Sequence, residues 1–347
     1  MFIVFPVKFH YNAINTLIFQ VLTGLKIALV AGWAVALSQG KPAADPVILF
    51  AGDVTLSDHV ERFVGDSTSY VFARWDRIEQ HDLFVVNLEH PITTATTRVE
   101  KEFNFKLDPR YVTMLKQGGI GLVNLANNHM FDYGPEGVIE TLRSLDAAGI
   151  PYVGAGSTLA EARTPVIMTL GAKRIGFLGY HGAGVFAATR TTPGVAPRNV
   201  PWIVEDIRSL RSSTDAIVVN IHWGEELAPE PAPWQRELAH RLVDEGVSLI
   251  VGHHPHVLQG VESYKDAVIA YSMGNFVFGG NSRSTYDTAV LKVVFGKKIS
   301  AVVIPVKVTQ WQPAPAVGVD AARILRLVRE RSERFAQPLP IATEERP

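Results

Sequence analysis

VSLIVGHHPH, residues 247–256, is the stretch on which the fold turns. Val247 to Val251 is a short apolar run stopped at Gly252, the pattern of a strand buried on both faces. His253, His254 and His256 follow at once, around Pro255, which holds the local backbone extended. Three of the chain's eleven histidines thus fall within four residues at the carboxyl end of one strand. In open α/β sheets, ligands bind at that edge. Taken alone, the stretch also reads as a polar loop rich in histidine, so the other strands have to decide.

Working outward, the same pattern recurs. Val47–Gly52, Leu83–Leu88, Gly121–Ala126 and Ala216–Ile221 are short apolar runs, each followed at once by a polar residue. Helical stretches alternate with them: Leu56–Val64 with Ser57 as cap, Tyr70–His81, a helix opened by Asp108-Pro109, Pro135–Ala148, Val200–Ser212 and Pro233–Glu245. Ile150–Gly154 reads as a short strand, Val166–Leu170 and Arg174–Gly179 as a hairpin, and Val257–Val261 and Ala267–Ser272 as short strands. Asp287–Phe295 and Ile299–Val308 form a second hairpin, and Val319–Phe335 is a final amphipathic helix. Alternation of this kind predicts α/β layers, with antiparallel strands added late.

The 347 residues are enough for a large core. A formal charge of −1 makes no electrostatic case for nucleic acid. The absence of cysteine excludes disulfides, zinc-thiolate sites and thiol catalysis. Residues 1–40 read as a leader: either a membrane anchor across Ala13–Leu37, or a signal peptide with Lys26 before the apolar run Ile27–Leu37 and cleavage before Gln39. Either form predicts export, to the periplasm or the extracellular face. Residues 41–46 read as a linker, 47–336 as a single domain and 337–347 as a frayed tail.

Asp53, Glu89, Asn128-His129, His222 and His254/His256 all lie at or just past a strand's carboxyl end. Asp and Asn commonly cap helices, but five such coincidences on one edge supply carboxylates, an amide oxygen and imidazoles together. That donor mix suits a divalent ion such as Mn²⁺, Fe²⁺ or Zn²⁺.

Gly52-Asp53, Asn87-Leu88-Glu89, Asn127-Asn128-His129-x-x-Asp132-x-Gly134, His222-Trp223-Gly224, His254-Pro255-His256 and Gly274-Asn275-Phe276 occur in that order. Over residues 47–280 the set resembles the CapA family, the poly-γ-glutamate capsule synthesis proteins, related in fold to calcineurin-like metallophosphoesterases. The resemblance implies a four-layer α/β/β/α sandwich with one or two divalent metals held by Asp53, Glu89, Asn128, His222, His254 and His256. It also implies that His129 protonates the leaving group. In that scheme Glu89 stands where an aspartate bridges two metals. A departure lies at Asp53-Val54-Thr55, where the superfamily has Asp-x-His. His59 and His90 are candidates to compensate, with surface or supporting positions the default.

His181 reads as a loop histidine that could line the same edge. Tyr133, Trp223 and Tyr271 flank motifs and are candidate walls of a cleft, though aromatic residues are usually core. Arg283 and Lys265 are candidates to meet an anion, with surface placement the default. The function implied is metal-assisted hydrolysis or transfer on an extracytoplasmic anionic polymer such as poly-γ-glutamate, or on a phosphoester. The alternative is a non-catalytic component that holds the polymer beside the membrane proteins of a capsule synthesis and export complex.

Overall fold

A computed structural model describes residues 44–75, 80–182 and 186–341. The leader expected over 1–40 and residues 342–347 lie outside them. In chain order the first half runs β1 (Val47–Thr55), α1 (His59–Val64), β2 (Leu83–Leu88), a 3-10 turn (Pro109–Val112), α2 (Thr113–Gln117), β3 (Leu122–Asn124), α3 (Gly134–Ala148), β4 (Tyr152–Val153), β5 (Ala155–Gly156) and α4 (Leu159–Ala162). The middle runs β6 (Val166–Leu170), β7 (Lys173–His181), β8 (Gly194–Val195), α5 (Val200–Leu210), β9 (Ala216–His222), α6 (Pro233–Asp244) and β10 (Leu249–His253). The chain continues through β11 (Val261–Tyr264), β12 (Ala267–Ala270), β13 (Asn275–Phe278), β14 (Tyr286–Phe295), β15 (Ile299–Thr309), β16 (Gln312–Pro315) and α7 (Gly318–Ser332).

Two sheets result. The first has the order β16-β15-β14-β1-β2-β3-β4, with β13 paired to β1; the second has the order β11-β12-β10-β9-β7-β6. In the first sheet β1 to β4 are parallel and β14 to β16 antiparallel. In the second, β12, β10, β9 and β7 are parallel, with antiparallel edges at β11 and β6.

Side-chain alternation explains why the apolar runs form buried strands. Ile48 and Phe50 face one way and pack with Phe177, Val218, Leu249 and Val251 of the second sheet. Leu49 and Ala51 face the other way, against Val60 of α1, Met114 of α2 and Val138 of α3. The second sheet repeats the scheme, with Val219 and Ile250 turned outward onto Ile207 of α5 and Leu242 of α6. The layers are therefore helix, sheet, sheet, helix, as expected. Helix α7 lies along the seam, placing Ile324, Leu325 and Val328 in the core between the sheets.

Several local expectations are corrected. Residues 70–75 are turns rather than the start of a helix, and 76–79 lie outside the described residues. Asp58, with φ of 52°, stands at the N-terminus of α1 in place of Ser57. The strand expected over Val257–Val261 begins only at Val261. Gln337–Ile341, expected in the tail, lie against β11: Ser263 N donates to Gln337 O at 2.7 Å and Leu339 N to Val261 O at 3.0 Å. Leu339 and Ile341 are buried in the core between the sheets, which is why this segment stays on the body. Among the described residues no helix is long and apolar enough to cross a membrane.

Candidate metal centre

The carboxyl ends of β1, β2 and β3 meet those of β7, β9 and β10. Asp53 lies on β1 at the point where its partner changes from β14 to β13. Gly52 precedes it because β1 and the segment before β13 nearly touch: a Cβ there would meet Gly274 O at 1.8 Å. Asp53 N donates to that same carbonyl at 2.9 Å. Gly252 plays the matching part on β10, where a Cβ would meet Tyr271 O at 1.9 Å. Residues 271–274 therefore pass against both sheets beside the site.

Asp53 and Glu89 are fully buried. Asn87 holds them together: its Nδ2 donates to Asp53 Oδ1 at 2.8 Å and lies 3.4 Å from Glu89 Oε2. Asn124 Nδ2 donates in turn to Asn87 Oδ1 at 2.8 Å, fixing the amide's orientation. Burial and the neighbouring Asp53 charge push the Glu89 carboxyl well above its ordinary range. Burial acts on Asp53 in the same direction, but His253 and His256 outweigh it and hold that carboxyl below the usual range. Glu89 Oε1 is buried with no hydrogen-bond partner. It lies 3.6 Å from His222 Nε2 and 3.8 Å from His256 Nε2.

The second sheet supplies the imidazoles. His222 ends β9, with Nε2 2.7 Å from Asn128 Oδ1. Burial, then the facing His254, pushes its pKa well down. Burial and His256 likewise lower His254 to about 4. His256 goes the other way: burial opposes charge, but Glu89 and Asp53 raise it to about 10. Its Nδ1 lies 3.1 Å from Asp53 Oδ2 and 2.8 Å from Asn275 Oδ1. A proton on His256 therefore competes with any cation for that ring. His254 and His256 are held at φ of 96° and 57°, a backbone region that side-chain-bearing residues seldom adopt.

Three ligand sets converge here: Asp53, Glu89 and His256; Glu89, His222 and His254; and Glu226, His254 and His256. The first two share Glu89. Asn128, beside His222, extends the second. An orphaned buried carboxylate oxygen among imidazoles and beside a second carboxylate is an arrangement that a divalent cation would satisfy.

His129 adjoins this cluster. Asn127 Oδ1 accepts from the amides of His129 and Met130, at 3.2 and 3.0 Å, and so shapes the turn that presents Asn128 and His129. His129 Nδ1 lies 2.8 Å from Asp132 Oδ2, which also accepts from Phe105 N at 2.6 Å. Lys101 forms an ion pair with Asp132 and donates to Asn128 O at 2.9 Å. Burial lowers the His129 pKa, although Asp132 opposes it.

Six predicted ligand residues and His129 are thus brought to one place. Thr55 turns away, its hydroxyl 3.3 Å from the carbonyl of Glu89. His59 instead stacks on Trp311, and His90 is fully buried with Nδ1 against Pro91 O at 3.2 Å. His181, read as a loop histidine, ends β7 in register with His222. Trp223 and Tyr271 are core residues stacked on one another. Sequence reading missed the parts played by Asn87, Lys101, Glu226 and His253. His253 is buried with both ring nitrogens unpartnered, and its Nδ1 lies 3.5 Å from Asp53 Oδ1. Its place among three clustered histidines was the available signal.

Residues 47–280 match the family described as bacterial capsule synthesis protein PGA_cap. The chain belongs to that family. This PGA_cap protein is 32% identical over 300 residues to "Capsule biosynthesis protein CapA" of Bacillus anthracis, covering 82% of this chain and 73% of that one. It is 28% identical over 284 residues to a "Probable polyglutamine synthesis accessory protein" of Mycobacterium tuberculosis, covering 73% of each. Among solved structures, that of a 5'-nucleotidase from Candida albicans aligns with a TM-score of 0.44 at 12% identity, covering 75% of this chain and 52% of that one.

Proposed function

We propose that this PGA_cap protein is a divalent-metal-dependent hydrolase or transferase acting on an anionic polymer of the cell envelope. The observation that carries the reading is the pair of ligand sets that share Glu89, with His129 beside them. Asp53, Glu89 and His256 would hold one ion; Glu89, His222, His254 and Asn128 would hold a second. Mixed carboxylate, amide and imidazole donors suit Mn²⁺, Fe²⁺ or Zn²⁺. When bound, such an ion supplies positive charge to polarise a substrate oxygen and promote attack by water.

His129 is the proton donor. Asp132 Oδ2, the nearer partner of Nδ1 at 2.8 Å, can only accept and so favours the hydrogen there, while Lys101 Nζ, 3.2 Å from the same atom, donates to Asn128 O and pairs with Asp132; Nε2 is left for the substrate. Lys101 balances the Asp132 charge. Asn87 sets both carboxylates and leaves their remaining lone pairs directed at the cluster. The relatives' names, capsule biosynthesis and polyglutamine synthesis, support a glutamyl polymer as substrate. On this reading residues 1–40 export or anchor the chain, which works beside membrane proteins of capsule synthesis. A fusion of residues 1–45 to a reporter active only outside the cytoplasm tests that step; a stable but inactive reporter overturns it.

One observation favours a second reading, a non-catalytic polymer-holding component. Thr55 stands where the resemblance leads one to expect a histidine, and its hydroxyl serves the backbone of Glu89. The word "accessory" in the name of the M. tuberculosis relative agrees with it. The two readings separate on metal content and hydrolysis of bis(p-nitrophenyl) phosphate, measured on one preparation of the full chain. Bound metal with turnover supports the enzyme, and bound metal without turnover on this ester or on γ-glutamyl oligomers supports the holder.

A further inference from the structure

A cavity of about 550 Å³ adjoins the metal centre and is lined by His129, His256 and Asn275. Phe103, Phe105 and Phe278 give it apolar walls. The ring of Phe105 lies 4.3 Å from that of His129, and Phe278 lies 4.7 Å from His256, so these walls are continuous with the reacting groups. Two rim residues project into solvent: Phe103 is 56% exposed and Leu227 is 70% exposed. Leu227 is also held at φ of 61°, a conformation that costs free energy unless the surroundings demand it.

Three cations line the same space, and two of them are engaged. The Lys307 ammonium lies 2.8 Å from Asp287 Oδ1, and the Arg331 guanidinium donates to the carbonyl of Leu258. Arg283 has no carboxylate or carbonyl partner for its guanidinium among the described residues. Of the two carboxylates in the lining, Asp287 is already neutralised by Lys307 and Arg323. Glu226 belongs to a ligand set with His254 and His256.

We propose that the cavity is a reading subsite for an acidic chain, in which Arg283 grips a carboxylate side group while the next linkage lies at the metal centre. The inference deepens the proposed function and rests on it. A planar guanidinium takes a carboxylate through two parallel hydrogen bonds. The phenyl walls pack the methylenes that separate successive carboxylates on such a chain. A lone small anion would use the cation and leave the apolar walls uncovered.

The test uses the full chain, metal-loaded, and a fluorescent γ-linked glutamyl decamer. Arg283→Met should weaken binding about 10- to 100-fold, the worth of a charge-assisted pair, and Arg283→Lys should recover part of it. The amidated γ-glutaminyl decamer should bind both forms weakly. Lys297→Met removes the same charge from the β14–β15 turn, some 30 Å away by strand rise, and should leave affinity within about twofold. Unchanged binding by Arg283→Met overturns the subsite, as does an equal loss from Lys297→Met, or no binding of the decamer to the wild type. Oligophosphate that binds as tightly and depends equally on Arg283 would also overturn the assignment to carboxylate. Metal content and phosphodiester hydrolysis of the wild-type preparation are read alongside, so failure of the subsite is distinguished from failure of the metal centre.

Discussion

In the first sheet Asp53 sits at a shift of register within β1 and Glu89 just past β2, where the ladder between the two strands and the amide of Asn87 hold them side by side. His254 and His256 occupy a loop of the second sheet with the backbone turned into the left-handed region. The carboxylate half follows from strand pairing and the amides of Asn87 and Asn124 beside it. The imidazole half is held by its own side, through Leu227 N to Pro255 O, and by the other sheet, through His256 to Asp53 and Asn275. Both ligand sets that include Glu89 draw on both halves. The comparison teaches that neither sheet makes the centre by itself, so closure of the sandwich and capture of an ion are linked.

The hardest blow to that pairing is removal of one ligand from each half. Glu89→Gln, which touches both sets, should bring the metal content of the full chain below about a tenth of wild type, and His254→Ala, which touches one of them, to about half. Elemental analysis after growth in metal-supplemented medium measures it. Full retention of metal by His254→Ala would show that the ligand set with His222 contributes nothing, and would break the comparison. His129→Ala sharpens it from the side, since His129 adjoins both halves and belongs to neither ligand set. Phosphodiester hydrolysis should fall about 10²–10⁴-fold with metal content unchanged.

Smaller effects probe the seam. Ile324 of α7 is buried between the sheets, and Ile324→Ala should cost about 2–5 kcal/mol in urea denaturation. Chelated and metal-loaded protein should lose similar amounts, because distant sites add. A loss confined to the metal-loaded form would mean that α7 acts on the centre directly.

The smallest concerns Asp287. Partial burial raises its pKa, but Lys307 and Arg323 outweigh that and hold it below the ordinary carboxylate range. A depressed folded pKa stabilises above the unfolded value and is lost as pH falls through the folded one. Asp287→Asn should therefore cost no more than about 1 kcal/mol near neutrality, and the difference from wild type should vanish once the pH has fallen through the depressed folded pKa. A difference that persists in acid would place the bonds of Asp287 outside electrostatics.

The buried strands were legible because an apolar run between turn residues has few other uses, and their polar ends pointed to one edge. Asp53, Glu89, Asn128, His222, His254 and His256 could be gathered from sequence for that reason. Lys101 could not: it reaches Asn128 from 27 residues upstream, out of a segment with no regular structure. Glu226 lies on an exposed loop, where a carboxylate carries no pattern. β16, with its two prolines, reads as anything but a strand, and it is tolerated only because it sits at the sheet's edge. The segment 337–341 hid two core residues inside a polar, proline-rich tail.

Gly52 and Gly252 give the centre an unusual kind of ruler. Each lies immediately before a member of the cluster, and each is pressed against the main chain of residues 271–274. The gap between the two halves is therefore measured in peptide thickness rather than in side-chain volume. Repacking the core with larger or smaller residues would leave that calibration alone. A single added methyl at either glycine would wedge one sheet away from the other, and because both ligand sets straddle the gap, both would go out of gauge together.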